Sequence, residues 1–162
     1  IEQVKESKMA ANGFIWRYNL SGGRPLILTF IMKDTETFTV GDMMNVETGQ
    51  VDLGATADTG LAGAFVGPFD PKDAKVGEPG KVDGTTAVTV VKVIVNPDAV
   101  YGVFDENARQ PGAALDISGA TGAQTVAASS NKEFVVVERK MQTTDETRVM
   151  ISQADHYLVK AL

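Results

Sequence analysis

The chain has 162 residues with a formal net charge of −6, and 43% of them are hydrophobic, which is typical of one globular domain with a sizeable core. The absence of cysteine excludes disulfides and cysteine-ligated metals. The acidic balance disfavours nucleic-acid binding, and no apolar run approaches the roughly 20 residues of a membrane-spanning helix, so we expect neither a nucleic-acid nor a membrane partner.

Residues 1–24 differ in character from the rest of the chain. They carry four Lys or Arg side chains against two Glu, whereas the remainder is acidic. Residues 1–13 are polar and predict an extended arm, because a short isolated helix is marginal in water. Residues 14–18 are aromatic and strand-like. We therefore divide the chain into an arm with the first strand over residues 1–24, expected to contact a partner, and a single β domain over 25–162.

Short strands are predicted across residues 25–66, because apolar or alternating runs there are separated by turn residues. The strand candidates are residues 25–32, residues 36–40, residues 43–51 around a turn at 47–50, and residues 64–66. Residues 68–84 are rich in proline and glycine and predict a long surface loop, which ends in an Asp83-Gly84 hairpin turn.

Residues 85–112 give the densest strand signal. A β-branched run reaches Val95, Asn96-Pro97-Asp98 interrupts it, and a second apolar run covers residues 99–104. This order predicts a hairpin, but a helix over 97–103 stays open, because proline after asparagine also suits a helix start. The remaining candidates are strands at 113–117, 125–128, 134–137 and 148–151, and a last strand or helical turn at 156–162.

Short runs separated by Gly, Asn, Asp and Pro, with no helical pattern longer than about ten residues, predict an all-β fold. We expect a compact β-barrel or sandwich, jelly-roll-like or β-tulip-like. The extended amino-terminal arm and the long loops would project from it.

The titratable side chains give no catalytic or metal-binding pattern, so we expect no enzyme activity, no metal and no cofactor. His156 is the sole histidine, which cannot form a His-rich metal site and has no triad partner, so a surface or interface position is expected. Glu106 and Arg109 could form an ion pair, but a solvated loop is favoured. Asp116 is expected to hydrogen-bond a turn rather than act as a base.

Two loop features have a ligand-binding interpretation that is weaker than the structural one. Four aspartates could surround a hard cation, but their spacing does not fit a calcium loop and solvated carboxylates are favoured; they are Asp52, Asp58, Asp70 and Asp73. Ser21-Gly22-Gly23-Arg24 and Gly119-Ala120-Thr121-Gly122 lack a phosphate-loop fingerprint, so turns are expected there.

Four segments resemble the head decoration proteins, or capsid cement proteins, of tailed bacteriophages. They are Val40-Gly41-Asp42, Gly-Ala-Phe-Val at 63–66, Val-Asn-Pro-Asp-Ala-Val-Tyr at 95–101 and Gly-Ala-Ala-Leu-Asp-Ile at 112–117, and the resemblance extends over about residues 24–162. It implies a structural protein that binds the outer surface of the expanded icosahedral head, often as a homotrimer. There it would clamp neighbouring subunits of the major capsid protein against the pressure of packaged DNA.

The resemblance also implies a location on the outside of the virion, after assembly in the host cytoplasm, and it suits the arm to the role of a strap across a capsid subunit. Trp16 and Tyr18 beside Arg17 are the most partner-like residues, since these types are enriched at interface hot spots, although core packing is favoured for Trp16. The expected capsid or protomer contacts are Lys5, Lys8, Phe14, Trp16, Arg17, Tyr18 and Arg24.

Two other functional classes stay open. The alternative is another virion β module, such as a head spike, fibre base or tail component, with adhesion or glycan binding. The third class is an enzyme or a carbohydrate-binding module. Aromatic residues make up only 7% of the chain and Trp16 is the sole tryptophan, which leaves few platforms for sugar rings.

Overall fold

Strands make up most of the residues that the computed structural model describes, which are 13–33, 38–68, 79–80, 90–139 and 145–160. The bounds of the strands in chain order are β1 (Phe14–Asn19), β2 (Ile27–Met32), β3 (Phe38–Thr39), β4 (Met43–Glu47), β5 (Gln50–Leu53), β6 (Leu61–Pro68), β7 (Pro79–Gly80), β8 (Val90–Ile94), β9 (Ala99–Phe104), β10 (Ala114–Ser118), β11 (Thr125–Ala128), β12 (Phe134–Arg139) and β13 (Glu146–Ile151). A 3₁₀ turn (Gln153–Asp155) and a one-turn helix α1 (Tyr157–Lys160) follow β13.

Two strand assemblies pack against each other. The first is a six-stranded antiparallel sheet in the order β1-β9-β13-β12-β10-β11, and the second is a closed barrel in the order β2-β5-β4-β6-β8. β3 and β7 form a separate two-stranded ribbon. In the barrel β2 runs parallel to β5 and antiparallel to β8. The predicted all-β fold is therefore confirmed.

The predicted hairpin across residues 85–112 is wrong, because its two runs join different assemblies. β8 pairs with β2 and β6 in the barrel, whereas β9 pairs with β1 and β13 in the sheet. Asn96-Pro97-Asp98 is thus a crossing between barrel and sheet. Each run is apolar because its strand has a neighbour on both sides, and the pattern does not say which neighbour. The helix alternative at 97–103 is also excluded, since Pro97 and Asp98 form a turn and β9 begins at Ala99.

The other strand predictions within the described residues are confirmed with shifted ends. The turn at 47–50 closes a hairpin, in which Thr48 (φ 50°) and Gly49 (φ 81°) are both left-handed. The apolar segment at 64–66 extends into the longer strand β6. The tail forms a helical turn rather than a strand. The Asp83-Gly84 turn lies outside the described residues.

The hydrophobic core has two parts. One lies between the sheet and the barrel, and includes the stacked rings of Phe14 and Phe134 with centroids 5.2 Å apart. The other fills the barrel, where the rings of Phe38 and Phe65 meet edge to face at 6.0 Å. Burial of these side chains stabilises the fold by about 25 cal/mol per Å² of apolar surface.

Gly63 on β6 lies against β8 of the barrel and against β9 of the sheet. Its φ is +149°, and a β-carbon at this position would collide with the Ile94 carbonyl, 2.9 Å from its carbon, and would lie 2.5 Å from the Tyr101 hydroxyl oxygen. Ile94 ends β8 and Tyr101 lies on β9, so this contact spans the point where the chain crosses from barrel to sheet. The backbone can come this close only at glycine.

Two buried polar side chains join the barrel to the β10–β11 connection. Asp42 accepts hydrogen bonds from the Thr121 hydroxyl at 2.5 Å and from the Gly122 N–H at 2.9 Å. From the other direction, Gln124 accepts a bond from the Met43 N–H at 2.6 Å. Asp42 and Gln124 are fully buried, so each of these bonds satisfies a group that water cannot reach. With Gly63 they form what we call the junction.

We predict that Gly63→Ala destabilises the protein by about 3 kcal/mol or more, because the added methyl group collides with the backbone of β8, which is paired with β6 in the barrel, and with the Tyr101 hydroxyl of the sheet. The control is Gly22→Ala. Gly22 also has a left-handed φ (+81°), but no atom lies within 4 Å of the position that its β-carbon would take. This variant should therefore be destabilised only by the backbone strain that alanine introduces at a left-handed φ, which is about 1–2 kcal/mol. Denaturant unfolding measures both, and equal losses would contradict a special role of Gly63.

Candidate functional site

Five large aliphatic side chains are exposed on β2 and on the segment that leads into it. We call them the apolar band, and they are Leu20 (56% exposed), Leu26 (51%), Ile27 (43%), Leu28 (37%) and Ile31 (41%). Contact between clustered aliphatic side chains and water is unfavourable. A contiguous exposed apolar patch on a folded protein is a feature of interaction sites, so these residues are candidates for one.

The turn between β8 and β9 fixes the position of the band. The side-chain oxygen of Asn96 accepts a hydrogen bond from the Leu26 N–H at 2.5 Å. The Leu26 carbonyl in turn accepts the Val95 N–H at 2.9 Å. Leu26 is therefore held on both of its backbone polar groups, and its side chain points out from an ordered backbone.

Asp98 anchors the first residue of the band through the same turn. Its backbone carbonyl accepts the Leu20 N–H at 3.0 Å, and its carboxylate accepts the Ser21 N–H at 2.8 Å. Hydrogen bonding from Ser21 lowers the pKa of Asp98, so the anchoring carboxylate is charged at neutral pH. Because these bonds order the band before any partner arrives, binding would cost little conformational entropy.

β2 also offers part of its backbone. It pairs with β8 from Ile27 to Ile31, but with β5 only at Ile31 and Met32. In the part of the chain that the structure describes, no strand pairs with the β5 side of the strand between Ile27 and Phe30. The band thus combines aliphatic side chains with backbone groups that another chain could bond.

The interface residues expected from the sequence lie in different environments. Lys5 and Lys8 lie outside the described residues. Phe14 is 2% exposed and belongs to the core. Trp16 is half-buried against that core, and its indole N–H donates to the Asn19 side chain at 3.0 Å. Arg24 is exposed, in the segment between the first and second members of the band.

Arg17 and Tyr18 belong to a charged network across the sheet. The Arg17 guanidinium pairs with Glu146 (2.9 Å from Nε), and Arg148 donates to the same carboxylate at 3.1 Å. Glu138 accepts bonds from Arg148 at 2.6 Å and from the Tyr18 hydroxyl at 2.8 Å. The network links the edge strand β1 to β13 and β12, so both residues make internal contacts.

Space for this network depends on a glycine in β9. The Glu146 side chain is 1% exposed, and a β-carbon at Gly102 would collide with its carboxylate, 2.7 Å from the carboxyl carbon. Two guanidinium groups compensate this buried charge, which would otherwise be strongly unfavourable. At the outer end of the network, the Tyr18 hydroxyl and Arg148 lower the pKa of Glu138.

Two expectations about polar residues need correction. His156 is fully buried rather than at the surface, because its ring packs between β6 and α1, and burial lowers its pKa to about 4. Arg109 pairs with Asp105 at 2.7 Å rather than with Glu106. Asp105 directly follows β9 and is buried, so Arg109 turns back towards the sheet to neutralise it.

Asp116 bonds a turn, as predicted. Its carboxylate accepts the backbone N–H groups of Ser130 (2.8 Å), Asn131 (3.0 Å) and Lys132 (2.8 Å). Burial favours the protonated acid, but these hydrogen bonds prevail and hold the pKa of Asp116 well below its usual range. Asp116 therefore stabilises the connection between β11 and β12.

The cation hypothesis gains no support from the aspartates that the structure describes. Asp70 and Asp73 lie outside the described residues. Asp52 forms an ion pair with Lys33 at 3.7 Å, and Asp58 closes a tight turn by accepting a backbone N–H at 2.8 Å. Within the described ranges no three His, Cys, Asp or Glu side chains are grouped so that they could hold a metal ion.

Both glycine-containing loops are turns, as predicted. Gly22, Gly23, Gly119 and Gly122 all have left-handed φ values, from 69° to 97°. The N–H of Gly122 donates a hydrogen bond to the Asp42 carboxylate at the junction. These glycines therefore serve the geometry of the fold.

The apolar band was not foreseen from the sequence. Residues 25–32 indicate a strand, but a continuous apolar run is typical of a strand covered on both faces, so it predicts burial rather than exposure. One signal was available. Leu20 lies between Asn19 and Ser21 in a polar turn, where an aliphatic residue has no core to enter.

No described helix has the length and the apolar character needed to cross a membrane. No protein-family model, curated protein or solved structure matches this chain.

We predict that Glu146→Gln destabilises the protein by about 2–3 kcal/mol, because it leaves two arginines without their buried counter-charge. Glu138→Gln is the matched control, since the Glu138 side chain is 46% exposed. Water can solvate the Arg148 guanidinium there, so we expect a loss of stability below about 1 kcal/mol. Urea unfolding at pH 7 compares the two. A larger loss for Glu138→Gln would contradict the buried role of Glu146.

Proposed function

We propose that this chain is a non-enzymatic decoration protein of a tailed-bacteriophage head. It binds the outer surface of the expanded icosahedral capsid as a homotrimer and cements neighbouring subunits of the major capsid protein. The observation that carries the proposal is the preorganised apolar band, because a rigid exposed aliphatic surface suits a protein that neighbours cover. The resemblance to capsid cement proteins indicates which neighbours these are.

The resembling segments have structural roles in this fold. Gly41 and Asp42 lie at the junction, where the Gly41 carbonyl accepts the Phe14 N–H at 2.7 Å. The segment at 63–66 contains the close approach of barrel and sheet, and the segment at 95–101 is the crossing that fixes the band. The structural roles of these segments support the idea that this chain and the capsid cement proteins it resembles have a similar architecture. A similar architecture would expose a similar surface.

Weak individual contacts suffice for cementing. A trimer that touches several capsid subunits makes each later contact intramolecular, so avidity exceeds the affinity of one protomer. The apolar band supplies desolvation energy for such contacts, and its backbone and side chains need little ordering. Because the protein binds the assembled, expanded lattice and not separated subunits, it stabilises that lattice by mass action.

The acidic charge of the chain agrees with an external position. A protein with a net charge of −6 would be repelled by packaged DNA if it lined the inside of the head. The basic arm at residues 1–24 has the opposite sign and would suit an acidic stretch of the capsid surface. Charge thus favours a body that stays outside and an arm that touches the lattice.

A second candidate function is glycan binding by a virion surface module. An open groove of about 650 Å³ lies beside the β4–β5 hairpin, and it is lined by Asn45, Glu47, Asp58 and Tyr157 among others. Carboxylates, an amide and one aromatic ring are groups that hold sugar hydroxyls and pyranose faces. A glycan array with the wild type and with Tyr157→Ala tests this candidate, and a hit that disappears in the variant would favour it.

We predict that the double variant Ile27→Thr/Ile31→Thr binds undecorated, expanded heads about 30-fold more weakly per protomer. Each isoleucine contributes about 1 kcal/mol when its exposed part is buried, and threonine keeps the β-branched shape that the strand needs. Co-sedimentation over a range of protein concentrations measures the change. The free energy of unfolding should shift by less than about 0.5 kcal/mol, because both side chains are exposed.

Ile15→Thr provides the matched control for this experiment. Ile15 is 39% exposed, much like the two band residues, but it lies on β1 in the sheet and outside the band. Because Ile15 belongs to residues 1–24, which we expect to contact the lattice, its variant should lose some binding but clearly less than the double variant. Equal binding by the double variant and the wild type, with both folded, would remove the band from the mechanism.

We also predict that deletion of residues 1–12 weakens head binding while the β domain stays folded, since the strap is lost and the strands described above remain. Thermal unfolding checks the fold, and co-sedimentation at 50 and 200 mM salt checks the contact. Because the deleted segment carries two Lys and two Glu, the salt dependence of binding should change little. Unchanged binding would show that the arm takes no part.

A further inference from the structure

The single histidine lies where the carboxyl-terminal segment meets the barrel. His156 is fully buried and forms an isolated parallel bridge with Leu61, the first residue of β6. Its backbone N–H donates to the Ser152 carbonyl at 3.1 Å, the same carbonyl that accepts the Asp155 N–H of the 3₁₀ turn at 2.9 Å. We call residues 153–160, which this histidine attaches to the barrel, the C-terminal latch.

The ring of His156 organises the latch. Its Nδ1 accepts the Leu158 N–H at 3.2 Å, and its face stacks on the Tyr157 ring with centroids 5.4 Å apart. The Tyr157 ring then meets Phe30 of β2 edge to face at 5.7 Å. The latch therefore packs against the strand that carries the apolar band, and Tyr157 and Leu158 add to the core inside the barrel.

A second proton on this ring would break the contact with Leu158. With Nδ1 accepting the Leu158 N–H, the neutral ring carries its proton on Nε2. A proton taken from water onto Nδ1 would remove that acceptor. It would also place a positive charge in a buried site, where Nδ1 bonds a backbone N–H rather than a carboxylate.

We propose that His156 is a protonation-controlled catch: the neutral ring holds the C-terminal latch against the barrel, and the protonated ring releases it. Release would expose the side of Phe30 that now contacts the Tyr157 ring, and so enlarge the apolar surface of β2. The proposal does not rest on the capsid function, because it concerns an equilibrium within a single chain.

The direction of the pH effect follows from burial. Burial lowers the pKa of His156 to about 4, and the Ala62 carbonyl opposes this only in part. An exposed histidine has a pKa near 6.5. The closed latch is therefore fully favoured above pH 6.5 and loses stability as the pH falls towards 4. Between pH 7 and pH 5 the opening constant should rise about twentyfold.

Few other groups near the latch can titrate in this range. Asp155 and Tyr157 belong to the latch itself, β6 presents Leu61 and Ala62, which do not ionise, and Asp58 lines the groove beside Tyr157. Burial raises the pKa of Asp58, so it is the group most able to mimic the effect. Asp58→Asn therefore belongs in the experiment as a control.

Hydrogen exchange with mass spectrometry, on the full chain at pH 7 and pH 5 and corrected for intrinsic exchange rates, tests the proposal. Opening in the peptide that covers residues 152–160 should increase about twentyfold at pH 5, while β9 and β13 stay protected. His156→Asn should abolish the pH response, because its amide oxygen can still accept the Leu158 N–H but does not titrate. Asp58→Asn should keep the response.

Three results would overturn the proposal. They are an unchanged latch in the wild type, equal loss of protection in the latch and the sheet, and a pH response that persists in His156→Asn. If that variant fails to fold, an NMR titration of the one histidine ring in the wild type decides. Amide signals of the latch that change with the same midpoint as the ring support the catch, and a ring that titrates while those signals stay fixed overturns it.

Discussion

The space that Gly63 leaves for the β8 backbone and for the Tyr101 side chain of the sheet is the constraint on which the rest of this structure depends. A barrel and a sheet share one chain, and β8 must lead into β9 without leaving a gap between their cores. Because Gly63 has no side chain, the Ile94 carbonyl and the Tyr101 ring can lie directly against β6. Asp42 and Gln124 secure the same junction with hydrogen bonds that are closed to water.

The junction also explains how a functional surface arises in a fold without a described catalytic cluster. Once the crossing at Asn96-Pro97-Asp98 is fixed, its side chains hold the segment before β2, and the apolar band is presented on an ordered backbone. On our proposal, the buried polar groups of this protein provide rigidity, and its binding energy comes from aliphatic surface. A rigid interior with an aliphatic binding surface suits a protein that stabilises a lattice by binding to its assembled form.

Local patterns in the sequence predicted local structure well. Glycine and asparagine turns, the β4–β5 hairpin and the role of Asp116 all follow from interactions within a few residues of the turn. Long-range partners were not predictable. Residues 85–112 indicate two strands but not that they join different assemblies, and a lone histidine near the chain end does not reveal its burial under α1. The apolar band was missed because an apolar run has the same pattern whether a partner or the core covers it.

Electron cryomicroscopy of expanded, undecorated heads incubated with the purified protein tests the central claim most directly. Our account predicts ordered density at regular symmetry positions on the outer surface, with three copies in contact and β2 turned towards a neighbour rather than towards solvent. Bare heads, with the lattice intact and the protein folded, would contradict it. Ordered density with β2 facing solvent would contradict the role of the apolar band.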